Sequence, residues 1–571
     1  MTASRQPAPG GQALTTVTEA ILANAARLGD KDAVVFGDGA LCYRDLGVAI
    51  ERWGAYLADK VEKQNIVLIF LPQGAEAIVA FFGAMAIGAV PSFMPLPNSK
   101  QDPERYWAAH RALLELVTPK VVISTANHAP RLADACRGLD TTIIPIGDVD
   151  LALMSESAGS IATRRPQTDD IALLQHSSGT TGLKKGVALT HTAIALQIEA
   201  YAAALGATEN DSVASWLPLY HDMGLIACTV MPLMLGQTIL LLDPFEWVSE
   251  PRSLFRTITD HSATWVWLPN FAFDHLRRAV EVDGGHYDLS SVKAFINCSE
   301  PCKAATFDRF AQAFASIGVR PEQLQVCYAM AETVFAISQT PSSAPATRLR
   351  VVGKRLAEHV VEPDPAGDVE LLSCGTLVSG SSVRIQVDGS RPGDADAGRD
   401  VGEIIVSAPF LFAGYYRRPE ITETVLEAGR YRTRDLGFVH EGELYVLGRK
   451  DDLLISNGRN FFAHEIEQIA NQVEGIKAGR GVALGIFNPD VGSEEVYLVQ
   501  EVSDLDSGSA RALRRAVRQR VEDALALALR DVVLVQPGWL VKTTSGKISR
   551  EANHAKLAEH LESRRRTRDR S

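Results

Sequence analysis

The sequence Ser177-Ser178-Gly179-Thr180-Thr181-Gly182-Leu183-Lys184-Lys185-Gly186 lies between two short apolar runs, 171–175 and 187–190. Both runs have the length and the Leu- and Val-rich composition of buried strands, so the setting is strand, loop, strand. Glycines let backbone N–H groups approach an anion closely, while the hydroxyl groups and the two lysines add donors and positive charge. The pattern therefore predicts a loop that binds a polyphosphate.

Two other kinds of loop explain this pattern less well. A Walker motif requires G-x-x-x-x-G-K-S/T at the start of a helix, whereas Gly186 is followed here by Val187 and an apolar strand. A solvent-exposed Gly/Ser/Thr loop accounts for the glycines but not for the adjacent Lys184 and Lys185. Polyphosphate binding is therefore the preferred interpretation.

The composition of the chain limits its class. It has 571 residues, of which 46% are apolar and 22% charged, and this excludes a disordered or collagen-like protein. At roughly 150 residues per domain, several domain-sized units are expected. The formal net charge of −12 repels phosphate backbones, so nucleic acid is not an expected partner. We interpret the arginine-rich tail, 564–570, as a solvated terminus.

Cysteine usage and hydropathy bear on the cellular compartment. The seven cysteines are sparse and include no C-x-x-C pair, which favours a reducing cytoplasm, and Cys298 and Cys302 are interpreted as buried thiols rather than metal ligands. The N-terminal sequence lacks the apolar core of a secretory signal. Because glycine and proline interrupt the apolar stretch 77–97, we expect a core helix and strand there, and no membrane span.

Short apolar runs alternate with longer helical patterns up to about residue 447, which is typical of an α/β fold built on a largely parallel sheet. Predicted strands include 65–70, 121–124 and 142–146. The apolar residues between Ile194 and Leu205 recur at helical spacing.

Turn-forming residues divide the rest of the chain. The segments 338–367 and 388–402 are rich in Pro, Gly, Ser and Asp, so we expect loops or insertions there. A smaller unit begins after Gly448, with predicted strands at 482–487 and 532–535 around a helix. Its length is sufficient for a separate domain.

Further motifs follow the loop in an order that identifies a family. SSGTTGLKKG at 177–186 resembles the signature loop of the acyl-adenylate-forming superfamily, which includes acyl-CoA synthetases and fatty acyl-AMP ligases. The other matching motifs span most of the chain: WLPLYHDMG at 216–224, NCSEP at 297–301, YAMAE at 328–332, YRTRD at 431–435, GRKDD at 448–452 and TSGK at 544–547.

This resemblance implies a fold and a reaction. It implies an α/β protein with a large N-terminal adenylate-forming domain of mixed, mostly parallel sheets at 1–450 and a small mobile α+β domain at 451–571. It also implies ATP or acyl-AMP, Mg²⁺ and CoA as cofactors, with a hydrophobic carboxylic acid or its adenylate as substrate.

The resemblance assigns roles residue by residue. The implied catalytic residues are Lys547, His221 and Glu332, and Glu332 and Thr181 are the implied magnesium ligands. Lys547 would bridge the carboxylate and the α-phosphate, and His221 would line the junction of acyl tunnel and phosphate. The implied nucleotide-binding residues are Ser177, Ser178, Gly179, Thr180, Thr181, Gly182, Lys185, Ser299, Glu300, Pro301, Tyr328, Ala329, Met330, Ala331, Asp435 and Arg449.

Other positions concern the domain movement and the acyl group. Asp451 falls where the family has its hinge, and Gly458 would lie beside the pantetheine path. We expect the acyl pocket to include Trp267, Leu268, Asn270 and Phe271.

Two residues depart from the family where nucleotide binds. Ala329 and Arg434 replace glycines, and we expect the bulk of Arg434, beside Asp435, to hinder ATP while tolerating a smaller adenylate. The long segment between Glu332 and Gly375 resembles the AMP-ligase branch, in which it accompanies poor CoA use, whereas the phosphate loop resembles that of CoA ligases.

The sequence therefore predicts an acid–thiol ligase that forms a CoA thioester through an acyl-adenylate. A narrower hypothesis is that it acts mainly on acyl-AMP supplied by a separate adenylating enzyme. The alternatives are an AMP ligase that loads an acyl carrier protein and a non-catalytic adenylate-binding protein.

Overall fold

The computed structural model describes residues 15–37, 39–97, 103–146, 164–177, 185–280, 287–299, 302–387, 400–456, 459–477, 479–488, 493–503, 507–525, 527–542 and 548–568. The α-helices are α1 (Val17–Leu28), α2 (Tyr43–Leu57), α3 (Ala75–Ala86), α4 (Pro103–Val117), α5 (Ala129–Ala135), α6 (His191–Leu205), α7 (Met231–Leu235), α8 (Pro244–Ser249), α9 (Arg252–His261), α10 (Asn270–Ala279), α11 (Ala304–Phe314), α12 (Gly353–Ala357), α13 (Pro419–Val425), α14 (Ala463–Ala470), α15 (Ser507–Leu525) and α16 (Arg550–Arg568). The other helical segments are a π-helix, Met223–Val230, and 3₁₀ turns at Ala315–Ile317, Pro321–Gln323, Ala331–Thr333 and Lys450–Asp452.

The strands are β1 (Asp32–Phe36), β2 (Gly39–Cys42), β3 (Ile66–Phe70), β4 (Val90–Phe93), β5 (Val121–Thr125), β6 (Thr142–Ile146), β7 (Ile171–Ser177), β8 (Lys185–Thr190), β9 (Ser212–Ser215), β10 (Thr238–Leu241), β11 (Trp265–Leu268), β12 (Ala294–Asn297), β13 (Leu324–Ala329), β14 (Ala336–Gln339), β15 (Arg348–Val351), β16 (Val369–Leu372), β17 (Thr376–Leu377), β18 (Ser382–Gln386), β19 (Gly402–Ser407), β20 (Gly414–Tyr415), β21 (Leu426–Glu427), β22 (Arg430–His440), β23 (Glu443–Arg449), β24 (Leu453–Ser456), β25 (Arg459–Phe462), β26 (Gly481–Asn488), β27 (Ser493–Glu501) and β28 (Asp531–Val535).

A 14-stranded sheet carries most of the site. Its order is β18-β19-β22-β23-β17-β14-β13-β12-β11-β9-β10-β1-β2, with β21 paired to β22. The pairs between β1 and β13 through β10, β9, β11 and β12 are parallel, whereas those from β13 outward to β18 are antiparallel. A separate sheet, β4-β3-β5-β6, is parallel throughout. These mixed sheets with their helices confirm the predicted α/β class.

Local sequence explains the best-predicted elements. All five residues of β3 are buried between two parallel neighbours, as a continuous apolar run predicts. The α6 helix begins where the Thr190 side chain accepts a hydrogen bond from the backbone N–H of Ala193, and it ends at Gly206, whose φ of 66° is left-handed. The stretch 77–97 contains α3 and β4, so it is a core helix and strand as expected. No helix of the described chain is long and apolar enough to cross a membrane.

The C-terminal part has its own sheet and core. It contains the β26-β27-β28 sheet and the β24-β25 hairpin. Helices α14 and α15 pack against apolar residues of β27 and form a core with them. The 3₁₀ turn Lys450–Asp452 connects β23, in the 14-stranded sheet, to β24. The domain boundary predicted at 450/451 falls in this turn and stays a prediction.

The segment 338–367, expected as a loop or insertion, contains regular structure. Within it, β15 pairs antiparallel with β16, and α12 follows directly. Val351 and Leu356 pack with Phe438 and Tyr445 of the β22-β23 hairpin, and Phe462 of β25 packs against the same cluster. The segment therefore lies between the large sheet and the hairpin that follows the 3₁₀ turn. The other expected loop, 388–402, lies mostly outside the described residues.

Candidate active site

The strands that flank the predicted phosphate loop form an antiparallel pair. Ser177 at the end of β7 is in register with Lys185 at the start of β8. Ser178, Gly179, Thr180, Thr181, Gly182 and Lys184 lie outside the described residues. The pairing brings the two ends of the loop together, which is the strand–loop–strand setting predicted from the sequence.

Of the two lysines of this loop, Lys185 is among the described residues. Its Nζ lies 4.9 Å from the ring centroid of Tyr415 on β20, within the range of a cation–π contact. Burial lowers the pKa of Lys185, and the nearby Arg449 and Arg434 lower it further, while the carboxylates of Glu332 and Asp451 raise it. These five charged groups therefore share one electrostatic environment.

A tight turn after β13 holds Glu332. Met330 donates its backbone N–H to the carbonyl of Phe335 at 3.1 Å, and the Thr333 hydroxyl donates to the same carbonyl at 2.7 Å. Val334 has a φ of 64°, which is uncommon for a β-branched residue and indicates that the surrounding contacts fix the turn. Ala331 begins the 3₁₀ turn and Met330 precedes it, so these residues of the YAMAE motif form the backbone turn that positions Glu332.

The Glu332 carboxylate has a partner that the sequence analysis missed. The Tyr415 hydroxyl donates to Oε1 of Glu332 at 2.8 Å. Burial, followed by the charge of Glu332, raises the pKa of Tyr415, so its hydroxyl remains a donor. Tyr415 is in a YYRRP sequence just before α13, and its position beside Glu332 depends on the pairing of β20 with β8, which no local pattern reveals.

Tyr328, Asp435 and Arg449 form the second polar group of the site. Asp435 on β22 and Arg449 on β23 are directly opposite, with Arg449 Nε 3.5 Å from Asp435 Oδ1. The Tyr328 hydroxyl donates to the other oxygen, Oδ2, at 2.5 Å. Burial raises the pKa of Asp435, while Arg449 and the Tyr328 hydroxyl act in the opposite direction. Tyr328 and Asp435, two of the implied nucleotide-binding residues, are therefore hydrogen-bonded to each other.

Arg434 is turned away from its neighbour Asp435. Its guanidinium donates two hydrogen bonds to Asp451, one of them from Nε to Oδ2 at 3.0 Å. Its backbone has a φ of 62°. The guanidinium is therefore held at Asp451, in the 3₁₀ turn Lys450–Asp452, and not at the neighbouring Asp435. Ala329, the other departure, is the last residue of β13 and pairs with Ala336.

His221 stands immediately before the π-helix Met223–Val230, an element that is often found at functional sites. Its backbone N–H donates to the carbonyl of Pro218 at 3.0 Å, and its ring lies 5.0 Å from that of Tyr220. A Cβ at Gly224 would come within 2.4 Å of the same Pro218 carbonyl oxygen. The glycine of WLPLYHDMG is therefore required by the fold of the segment that carries His221.

The predicted acyl-pocket residues differ in their surroundings. Trp267 and Leu268 are fully buried in β11. The Trp267 indole donates to the Tyr201 hydroxyl at 3.1 Å, and that hydroxyl donates to the Gln339 side chain at 3.0 Å, so Trp267 is fixed inside the core. Phe271, at the start of α10, is 49% exposed.

Two stacked indole rings lie next to Phe271. Trp216 and Trp247 stack with ring centroids 3.8 Å apart, and Phe271 meets Trp216 edge to face at 6.1 Å. Beside Phe271, the side chain of Asn270 accepts a hydrogen bond from that of Asn297 at 2.9 Å. This bond joins α10 to the strand that leads into the NCSEP motif.

Of the remaining predicted residues, Ser299 is within the ranges that the structure describes. Ser299 directly follows Cys298, and its left-handed φ of 71° places it in a sharp bend after β12. Glu300, Pro301, Gly458 and Lys547 lie outside the described residues. Their roles stay predictions.

A divalent cation fits the chemistry of Glu332. Its Oε1 accepts from Tyr415, and carboxylate oxygens suit Mg²⁺, which is usually held by one or two carboxylates together with substrate phosphates. Within the described ranges, no group of three or more His, Cys, Asp or Glu residues is placed to hold a metal. The residues present thus fit a magnesium ion bound with a nucleotide.

Comparisons with known proteins show which family the chain resembles. The model of a family described as AMP-binding enzyme matches residues 21–416. A Mycobacterium leprae protein named as a fatty-acid–CoA ligase, fadD21, is 32% identical over 85% of this chain and 86% of its own length. The medium-chain-fatty-acid–acyl-carrier-protein ligase JamA of Moorena producens is 29% identical over 91% of this chain and 90% of its own length.

The fold is also similar to that of solved structures. One from a study of fatty acyl-adenylate ligases from E. coli and L. pneumophila superposes with a TM-score of 0.86 at 23% identity, covering 96% of this chain and 98% of that one. The likeness extends over both the 14-stranded sheet and the C-terminal part.

Proposed function

Since the chain belongs to the AMP-binding enzyme family and is an enzyme of the ligase class, we propose that it activates a hydrophobic carboxylic acid as an acyl-adenylate and transfers the acyl group to a phosphopantetheine thiol. Enzymes of this family use ATP or an acyl-adenylate. The observation that carries the proposal is Asp435, which accepts a hydrogen bond from Tyr328 and is ion-paired with Arg449, together with the nearby charges of Glu332 and Lys185.

The first step joins the acid to AMP. A carboxylate oxygen attacks the α-phosphorus of ATP, the bond to the β-phosphate oxygen breaks, and pyrophosphate leaves. Negative charge grows on the phosphoryl oxygens, so preorganised cations stabilise the transition state. Lys185 and Arg449 are described cations of the site, and Lys547 is the predicted third. Glu332 would hold Mg²⁺, which supplies further positive charge to the phosphates.

The second step moves the acyl group to sulfur. A thiolate attacks the acyl carbon of the adenylate, AMP leaves with the electron pair of the broken C–O bond, and a thioester remains. Asp435 and Arg449 would retain the nucleotide during both steps, because a carboxylate can accept hydrogen bonds from both ribose hydroxyl groups. The same residues would therefore bind the nucleotide part of ATP in the first step and of the acyl-adenylate in the second.

The aromatic group around Phe271 supports a hydrophobic acid. Phe271 presents a half-exposed ring that packs against the buried Trp216–Trp247 stack. Its neighbour Asn270 is bonded to Asn297, which leads into the predicted adenylate site. Burial of an alkyl or aryl group against such rings contributes about 25 cal/mol per Å² of apolar surface. A small polar acid would gain little from this surface.

The position of α12 favours an acyl carrier protein over CoA as the source of the thiol. Leu356 of this helix and Phe462 of β25 pack in one apolar cluster, so the 338–367 segment contacts the hairpin with which the C-terminal part begins. The resemblance associates this segment with poor CoA use. The CoA thioester expected from the sequence stays the alternative.

The test separates the two steps and the two acceptors. The purified chain is incubated with ATP, Mg²⁺ and fatty acids of graded length, and pyrophosphate is measured; thioester is then measured with CoA and with a holo-acyl carrier protein. We expect acid-dependent pyrophosphate release, loss of it in Glu332→Gln, and no loss in the exposed control Glu427→Gln. Transfer to CoA only would overturn the carrier-protein assignment.

The same assay addresses the narrower hypothesis and the non-catalytic one. Thioester formation from supplied acyl-adenylate without pyrophosphate release from ATP would mean that a separate enzyme supplies the adenylate. Binding of acyl-adenylate with neither product would mean a non-catalytic protein. Because the Arg434 guanidinium is held by Asp451, we expect adenylation to be measurable in the unmodified chain.

A further inference from the structure

Arg434 has a backbone conformation that its side chain disfavours. Its φ of 62° lies in the left-handed region, where the Cβ of an L-residue crowds the following carbonyl. The residue is the fourth of the YRTRD motif, within β22. A non-glycine residue persists in this region when surrounding contacts determine it, and such positions are frequent in functional segments.

The Arg434 side chain forms a two-pronged ion pair with Asp451. Nε donates to Oδ2 of Asp451 at 3.0 Å, and a second guanidinium nitrogen donates to Oδ1. This planar fork matches a carboxylate in a way that lysine cannot reproduce. The side chains are 57% and 36% exposed, so the pair can open without unpacking the core.

Asp451 and Asp452 are adjacent in the chain but are ion-paired to different parts of the molecule. Both belong to the 3₁₀ turn Lys450–Asp452, which joins the 14-stranded sheet to the β24-β25 hairpin. Asp451 is paired to Arg434 of the large sheet, whereas Asp452 is paired at 3.1 Å to Arg550 of α16. Arg550 is also bound to Glu467 of α14. One residue of the turn is thus bound to the large sheet and the next to the C-terminal part.

We propose that Arg434 is a positioning residue that restrains the Lys450–Asp452 turn against β22 and so fixes the orientation of the C-terminal part relative to the Asp435–Arg449 pair. For the C-terminal part to turn, the Arg434–Asp451 pair opens first. The use of this turning in catalysis rests on the proposed function, but the restraint itself is a property of the ligand-free chain.

The structure offers variants that separate the ion pair from the backbone. Arg434→Ala removes the guanidinium and keeps the Cβ in the left-handed region, whereas Arg434→Gly also relieves the backbone. Asp451→Asn removes the charge of the partner. A matched control is Arg27→Ala, since Arg27 pairs with Glu209 at 2.5 Å with similar exposed fractions, 54% and 39%, far along the chain from the turn.

The measurement is the distance distribution between spin labels introduced through non-natural amino acids at the exposed positions Glu423 on α13 and Glu522 on α15, in the full chain without ligands. We expect Arg434→Ala and Asp451→Asn to increase the population away from the main distance about threefold, as loss of an exposed ion pair allows. Arg27→Ala should leave the distribution unchanged, and the double variant Arg434→Ala/Asp451→Asn should match the single ones.

Two outcomes would overturn the proposal. One is an unchanged distribution in Arg434→Ala, and the other is a change confined to Arg434→Gly, which would assign the restraint to the backbone. The exchanged pair Arg434→Asp/Asp451→Arg should restore the original distribution at least in part. Since no substrate is present, these results stand independently of whether the chain forms an acyl-adenylate, which the pyrophosphate assay decides.

Discussion

The Tyr415 hydroxyl donates to Glu332 Oε1 at 2.8 Å, and this bond joins β20, which pairs with the strand after the phosphate loop, to the turn after β13. It orients the carboxylate that we assign to magnesium. Tyr415→Phe removes one hydrogen bond to a charged group without a large change in volume, so we expect the KM for Mg·ATP to rise about five- to tenfold with a smaller change in kcat.

The matched control for this prediction is Tyr497→Phe. Tyr497 donates to Glu495 at 3.2 Å in the C-terminal sheet, so it loses an equivalent tyrosine–glutamate bond away from the site. Steady-state kinetics of pyrophosphate release should be unchanged in that variant. An equal rise in KM in both would mean a general effect on folding.

Lys547→Ala should separate the two half-reactions. Its charge is needed while pyrophosphate leaves, so adenylation should fall by at least about a hundredfold, which is the usual effect of removing one transition-state donor. Thioester formation from supplied acyl-adenylate should stay within a few-fold. Equal loss of both steps, measured as product formed from ATP and from adenylate, would count against the assignment.

Gly224→Ala should affect the His221 segment. The added Cβ would lie 2.4 Å from the Pro218 carbonyl oxygen, which accepts the hydrogen bond from His221 N–H, so the backbone has to shift. We expect a loss of about 1–3 kcal/mol in the free energy of unfolding and at least a tenfold loss in kcat/KM. Gly74→Ala is the control, because nothing lies within 4 Å of its added Cβ.

Acid should destabilise the N-terminal helix through His191. Nδ1 of His191 accepts from the backbone N–H of Val17 at 3.2 Å, and burial lowers its pKa to about 4. As pH falls from 6.5 toward 4, the unfolded chain takes up a proton that the folded chain does not. Stability is therefore lost over this range, by roughly 3 kcal/mol.

Denaturant unfolding at pH 7.5 and pH 5 measures the first part of this loss, about 2 kcal/mol. His191→Asn keeps an acceptor near the Val17 N–H but does not titrate, so its stability should change less between the two pH values. An identical pH dependence in both proteins would show that other groups cause the acid effect. The nearby Asp170, which is paired with Lys63, is the first such group to examine.

The sequence predicted the elements whose signals are local. The strand at 66–70 is a continuous apolar run, and the phosphate-loop strands are bounded by their glycines, so their positions agree closely with the structure. The 338–367 segment was expected to be a loop because its Pro, Ser and Gly residues indicate turns. It contains β15 because Arg348–Val351 pairs with Val369–Leu372, a long-range contact that composition does not report.

The site shows the same division between local and distant information. Tyr328, Glu332 and Asp435 were found because each lies in a recognisable motif. Tyr415 was missed because its role depends on the β20–β8 pair. The pairing of Arg434 with Asp451, rather than with its neighbour Asp435, is a contact between separate elements that sequence alone does not specify.

The β22-β23 ladder places Arg449 opposite Asp435, and the 3₁₀ turn begins at the very next residue, Lys450. No residue therefore separates Arg449, which we propose binds the nucleotide, from the turn about which the C-terminal part would rotate. In a rotation about this turn, atoms move in proportion to their distance from the axis, so the Asp435–Arg449 pair beside it would be displaced least. A nucleotide-binding pair placed beside the axis could therefore keep AMP bound while the C-terminal part rotates and presents a different surface to the site.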